Sequence, residues 1–439
     1  VDVQAEGFII AEGSQVTGGA ILSKSFIGQG CKIGRQFSAE GSLFFANGEG
    51  FHGEACSVFA GPYTVTHHKS TLLIAGLFSF YNAGSGTNQS NHLYKLGPVH
   101  EGRLERGCKT GSFSYMMWPC RVGPFSVVLG KHTRTFDTGD FPFSYLEAMP
   151  DGRCLMTAGF NLTTVGTVRD GAKWPARDRR KGNCKRDRIT FDVFSPFTVG
   201  RMMTGSARMK ELQESTKRSV DVVNVSGTCV KRVLLRTSQK FYRSAIQMYL
   251  LSKVVERVEA GIQQGTNSLN AMVSASPEAA FSEQWVDIGG QMMPQRRIDD
   301  ICQAVAAGQI ENLDALNQAL DRALDAYAED EWAWVRWAYE QEFGKSLDNA
   351  TPDDLARIGD DLAATRGKFV KMVLNDATKE FGEAIQTGFG QDGTAADVAC
   401  DFAAVRGDFD SNKFVKQMRD DVEALQQRVA RFKEAVVNF

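Results

Sequence analysis

The chain of 439 residues carries 50 Lys and Arg against 52 Asp and Glu, is 43% hydrophobic, and contains 43 Gly, 9 Cys and 6 His. With 23% charged and 10% aromatic residues it is neither a disordered nor a low-complexity sequence, and its length allows two or three domains. No run approaches the roughly 20 apolar residues of a membrane span, so no membrane partner is expected.

The opening Val1-Asp2-Val3-Gln4 lacks a basic and apolar signal pattern, and the odd cysteine count, without any C-x-x-C pair, argues against a disulfide framework or a thiolate zinc site. A cytoplasmic location is the expectation. The net charge of −2 conceals two halves. Residues 1–257 hold 33 basic and 20 acidic residues, whereas residues 258–439 hold 17 and 32. All six His (52, 67, 68, 92, 100 and 132) fall in the basic half, as do 22 of the 43 Gly within its first 145 residues.

A step of six from Val3 passes through Ile9, Gln15, Ile21, Ile27, Ile33, Ala39, Phe45 and Phe51, apolar at every rung except Gln15. Small residues (Gly7, Gly13, Gly19, Ser25 and Cys31) stand two places before successive rungs. Such a step fits neither a helix nor a strand but suits a triangular coil with one inward residue per side. Pairs such as Ile27-Gly28-Gln29-Gly30-Cys31-Lys32 and Ile33-Gly34-Arg35-Gln36-Phe37-Ser38 resemble the hexapeptide repeats of the left-handed parallel β-helix superfamily. The run from Phe44-Phe45-Ala46-Asn47 to Phe143-Ser144-Tyr145-Leu146 is similar to an uncharacterised bacterial family of long β-helix proteins with a helical C-terminal region. The expected fold is thus a mainly β N-terminal half, a left-handed parallel β-helix, followed by an all-α domain. Because the ladder is in step at Val3 and no Met begins the chain, further coils are expected upstream.

The β-helix is assigned to residues 1–146, with an inserted loop over 62–95 where the ladder is interrupted. A basic connector of mixed structure is assigned to 147–237. Its segment 169–188 holds nine basic and three acidic residues, either to grip phosphates or to pair with the acidic half. No nucleic-acid signature is present, and no nucleic-acid partner is expected. Helices are expected over 238–265, 294–305, 312–343 and 351–385 within an α-helical domain at 238–439, with 267–291 a linker or short helix. Thr351-Pro352-Asp353-Asp354 has the cap, proline and acids of a helix start. Val415, Met418, Val422, Leu425, Val429, Phe432 and Val436 mark a last helix with a coiled-coil-like seam. Trp332, Trp334 and Trp337 are expected in the core of this region.

Candidate chemistry collects in 44–111. The superfamily resemblance implies an acyltransferase in which one His acts as general base in a groove between subunits of a homotrimer. His67 and His68 are the first candidates and His92 the next, since a neutral imidazole suits proton abstraction near neutral pH. His52, Lys69, Asn82, Gly84, Ser85, Gly86, Asn88, Asn91, Lys95 and His100 are candidate ligand-binding residues, the Asn82–Asn91 segment as a backbone N–H cradle for phosphate or pantetheine. The expected substrate is acyl-CoA or a nucleotide-sugar, with no tightly bound cofactor and no metal. Two alternatives stand beside this reading. One is a non-catalytic sugar-nucleotide-binding or assembly scaffold; the other is a His-metal hydratase resembling the γ-class carbonic anhydrases.

Overall fold

The computed structural model describes residues 2–90 and 101–437. Its N-terminal half is a parallel β-solenoid of about eight coils, three short strands to a coil, and a helical region follows. Equivalent strands stack into three sheets. In the first, Leu22 lies beside Ala39, Ala39 beside Ala55 and Ala55 beside Leu73, so a coil takes 16 to 18 residues. Backbone groups along the sheet interior pair from coil to coil, and a strand alternates inward and outward side chains.

The inward series runs Leu22, Ile27, Ile33, Ala39, Phe44, Gly50, Ala55, Ala60 and Thr66, all buried. Its steps are of five and six, so a strict period of six drifts outward. The rungs Ile27, Ile33 and Ala39 are interior, whereas Phe45 and Phe51 stand one place past Phe44 and Gly50 and are half-buried. Ile9 and Ile21 face outward and are 65% and 48% exposed. The expected inserted loop over 62–95 is corrected by the same register. Residues 71–74 pair with 53–56, 76–78 with 102–104, and 82–83 with 65–66, so residues 65–90 continue the coils. What misled the sequence reading is the apolar rung itself, replaced inside the coil by Thr66 and Gln89, both buried.

One corner of the solenoid is built from residues in the left-handed region. Asn47, Tyr63, Phe80, Gly107, Phe125 and Phe143 hold φ between +51° and +75° in successive coils. Tyr63 stacks on Phe80 at 5.3 Å and Phe125 on Phe143 at 4.9 Å. Gly107 interrupts the stack, because a Cβ there would meet the Phe125 ring at 2.5 Å. Trp174 occupies this place, 4.6 Å from Phe80 and 5.9 Å from Phe125 between ring centroids.

Ten α-helices occur among the described residues: α1 (Val165–Ala176), α2 (Pro196–Ser215), α3 (Leu235–Gln263), α4 (Leu269–Val273), α5 (Gln295–Ala306), α6 (Leu313–Asp325), α7 (Tyr327–Phe343), α8 (Pro352–Thr378), α9 (Ala395–Arg406) and α10 (Lys413–Val436). Two compact units share them. The first comprises 1–162, 170–243 and 276–334, and the second 163–169, 244–275 and 335–439. The acidic half is therefore not one helical domain, since 276–334 folds with the solenoid. The segment 267–291, expected as a linker or short helix, holds a short helix, Leu269–Val273, and runs into the antiparallel hairpin of Trp285–Ile288 with Gln291–Pro294. The expected helix 312–343 is broken at Ala326 into α6 and α7. α2, within the expected connector, starts at a capping box of Ser195 and Thr198 with Pro196 at its first position.

In the first unit Trp334 is fully buried and its indole N–H donates to Glu283 O at 3.0 Å. Arg106 is also fully buried, held by Asp287 at 2.9 Å, Thr190 O at 2.6 Å and Gly290 O at 2.8 Å, with its guanidinium over Phe80. In the second unit α8 starts at the expected Thr351 capping box, and the seam of α10 is buried at Val415, Met418, Val429, Phe432 and Val436. Gly359 of α8 sits where a Cβ would be 3.1 Å from Val429, which lets the two helices approach closely.

Trp174→Ala should open a gap in the corner stack and lower stability by about 3–5 kcal/mol. A urea midpoint unchanged from that of the wild-type protein would show that the stack does not depend on this ring.

Candidate functional site

The third sheet carries Lys32, Glu49, Val65 and Asn82 outward in one register column. Beyond its edge the chain turns a corner, and three successive coils place Arg35, His52 and the segment His67-His68-Lys69 there. An open pocket of about 490 Å³ is lined by these residues with Glu49 and Phe51. His67 Nε2 lies 2.6 Å from Glu49 Oε2, while Arg179 Nη1 donates to Glu49 Oε1 at 2.5 Å. The imidazole packs against the Phe51 ring at 5.6 Å, and Arg35 covers the same ring at 5.1 Å. The ring of His68 is 6.5 Å from that of His67 and nearly perpendicular to it.

Arg179 is itself fixed. Its backbone N–H and guanidinium donate to Asn47 Oδ1, Asn47 O and Gly30 O at 2.7 to 2.9 Å. It belongs to the basic segment 169–188, which is neither a free phosphate grip nor paired mainly with the acidic half. Arg186 pairs with Glu12 and Arg179 with Glu49, both on the solenoid, and the Asp187 carboxylate accepts from Ala46 N. Arg188 alone of these reaches into 258–439, at Asp321. Charge alone could not distinguish these partners, because both halves of the sequence offer carboxylates.

Burial raises the Glu49 carboxyl, but the hydrogen bond from His67 and the charge and hydrogen bond of Arg179 outweigh it, leaving the group below its ordinary value. The ionised carboxylate holds the imidazole by one nitrogen. The other ring nitrogen has no protein partner among the described residues.

Of the candidate residues, His52, His67, His68 and Lys69 are brought together. His92, Asn91, Lys95 and His100 lie outside the described residues. Four amides of the Asn82–Asn88 segment, expected as a phosphate cradle, bond neighbouring coils. Asn82 N donates to Cys108 O, Gly84 N to Thr110 O, Gly86 N to Lys69 O and Asn88 N to Ser114 O. Gly84 serves a close approach, since a Cβ there would meet Thr110 O at 2.4 Å, and Ser85 bonds Ser112. The sixth histidine, His132, is buried in the solenoid interior beside Met116; burial lowers its pKa. No group of three His, Cys, Asp or Glu side chains among the described residues is placed to hold a metal ion. The sequence reading missed Glu49, Phe51, Arg35 and Arg179. Glu49 was findable, for its register partner one coil of 16 residues on is Val65, two places before His67 and on the same face of the strand.

Residues 1–213 match the family described as "Domain of unknown function (DUF4954)", and residues 266–433 the family described as "Domain of unknown function (DUF6819)". The chain is 26% identical over 324 residues to an uncharacterized protein of Treponema pallidum (strain Nichols), covering 63% of this chain and 42% of that protein. The chain therefore spans about two fifths of the length of this curated relative.

A carboxyl held below its ordinary pKa adds stability above the ordinary glutamate range and loses it as pH falls through the folded-state value. Glu49→Gln removes that dependence. The gap between the urea midpoints of the wild-type protein and Glu49→Gln should thus narrow on acidification below the ordinary glutamate range. A gap constant with pH would show that Glu49 is not held ionised by His67 and Arg179.

Proposed function

We propose that the corner at His67 is an acyl-transfer centre acting on a hydroxyl or amine acceptor, with acyl-CoA or an acyl carrier protein as donor. The observation that carries this reading is the His67–Glu49 pair at 2.6 Å, locked from behind by Arg179. A carboxylate that fixes one imidazole nitrogen orients the other toward a proton to be removed and stabilises the imidazolium that results. The acceptor oxygen or nitrogen attacks the thioester carbonyl while its proton passes to His67. Collapse of the tetrahedral species breaks the C–S bond, and the same proton leaves with the thiolate as free thiol.

Arg35 and Lys69 give the pocket a positive rim suited to the phosphates of coenzyme A or phosphopantetheine. His52 and His68 supply further ring N–H groups for the developing oxyanion. The pocket is open on one side, and a homotrimer would close it with a second solenoid. The nine cysteines, all free thiols, suit a cytoplasmic setting. None of the helices is long and apolar enough to cross a membrane among the described residues.

Thiol release from short-chain acyl-CoA with a panel of amino-sugar and hydroxyl acceptors tests the reading. His67→Ala should lower turnover by about 10² to 10⁴-fold with the fold intact. His68→Ala should retain activity with a weaker oxyanion contribution. Unchanged turnover in His67→Ala removes it as base, and the absence of both thiol release and a thermal shift with any CoA ester favours a scaffold without chemistry.

A further inference from the structure

A second pocket of about 390 Å³ opens on the outer face of the second sheet, within the first unit. Its floor is a single register column: Phe59 stands beside Leu77, Leu77 beside Arg103, and Arg103 beside Arg121. The facing wall comes from Phe197 and Arg201 of α2 and from Val286 to Gly289 of the hairpin. Within the pocket the column is apolar at one end and cationic at the other; beyond Arg121 it continues to Asp137, whose carboxylate lies 3.9 Å from Arg121 Nη1.

The two arginines are in register on neighbouring strands, whose spacing is about 4.8 Å. Like charges so placed disfavour one another unless each is compensated. Arg121 is compensated, for its Nε donates to Glu105 at 2.9 Å, and Arg201 lies 3.0 Å from the other oxygen of the same carboxylate. Arg106, behind the pocket, is paired with Asp287. Arg103 is exposed and has no carboxylate partner among the described residues. Glu105 is shared by two arginines already, so no protein carboxylate lining the pocket is left for Arg103. Next to this unbalanced charge lie Leu77 and Phe59, both half-buried, and Ile288, 37% exposed across the opening.

We propose that this pocket binds a small amphiphilic anion, an alkyl or aryl body ending in a carboxylate or phosphate. The head group lies between Arg103 and Arg121, and the apolar body lies along Leu77 and Phe59 under Ile288. A guanidinium pair suits either oxyanion because both accept paired N–H bonds. The site stands on residues separate from His67 and does not depend on that reading.

Isothermal titration of the full chain with octanoate and with octyl phosphate tests it, using octanol and octyltrimethylammonium as head-group controls and acetate as a chain control. The anions should bind saturably and the controls should not. Whichever anion binds more tightly identifies the head. Lengthening the chain from hexanoate should strengthen binding by up to about fourfold per buried methylene. Arg103→Gln, an exposed and unpaired position, should weaken binding by about tenfold without a change in Tm. Leu77→Asp should abolish the chain-length dependence. Equal binding of octanol or the ammonium, affinity independent of chain length, unchanged affinity in Arg103→Gln, or no binding of either anion would each overturn the proposal.

Discussion

Everything on the solenoid follows from one constraint, that backbone N–H and C=O groups of each coil bond to the coils above and below in parallel register. A position on one coil is thereby repeated on the next at about 4.8 Å, whatever residue occupies it. Inside, this turns isolated residues into columns such as Ile27, Phe44, Ala60 and Phe78. Outside, it brings Glu49 of one coil within reach of His67 of the next, and places Arg103 against Arg121. The same ladder takes up the amides of Asn82, Gly84, Gly86 and Asn88, so the glycine-rich segment there holds the coils together.

The repeat, the parallel β architecture and the helices after Ser238 were legible because each leaves a periodic trace. Burial at Ile27, Ile33 and Ala39 follows the six-residue step, and the Thr351 cap and α10 seam follow helix chemistry. The slip between steps of five and six was not legible, since Phe44 and Phe45 are both apolar and only the register shows which one faces in. The false loop at 62–95 has a related cause. The solenoid holds Thr66 and Gln89 inside, with Gln89 Oε1 accepting from Ile74 N at 3.1 Å, because the coil is carried by its backbone ladder, so loss of the apolar rung does not mean loss of the coil.

The candidate site was half legible. Histidine clustering pointed to His52, His67 and His68, because nothing after residue 132 competes with them. Arg179 was not, for it lies 130 residues from Glu49 and its segment looked like an undirected run of charge. The strap it belongs to also fixes Asn47 in its left-handed conformation through three hydrogen bonds, two accepted from Arg179 and one donated to Asp178. Site geometry and corner geometry are thus held by the same few residues.

The Trp174 ring in the gap at Gly107 bears on how the solenoid forms. In an idealised repeat protein each unit needs only its neighbours, and stability is a sum of local terms. Here the aromatic column between Phe80 and Phe125 is completed by a residue that emerges from synthesis well after all the coils. The coils around Gly107 therefore reach their full packing late, when the chain beyond them returns. The array behaves as a single cooperative body there and cannot be shortened after its last coil without leaving an open notch in the corner.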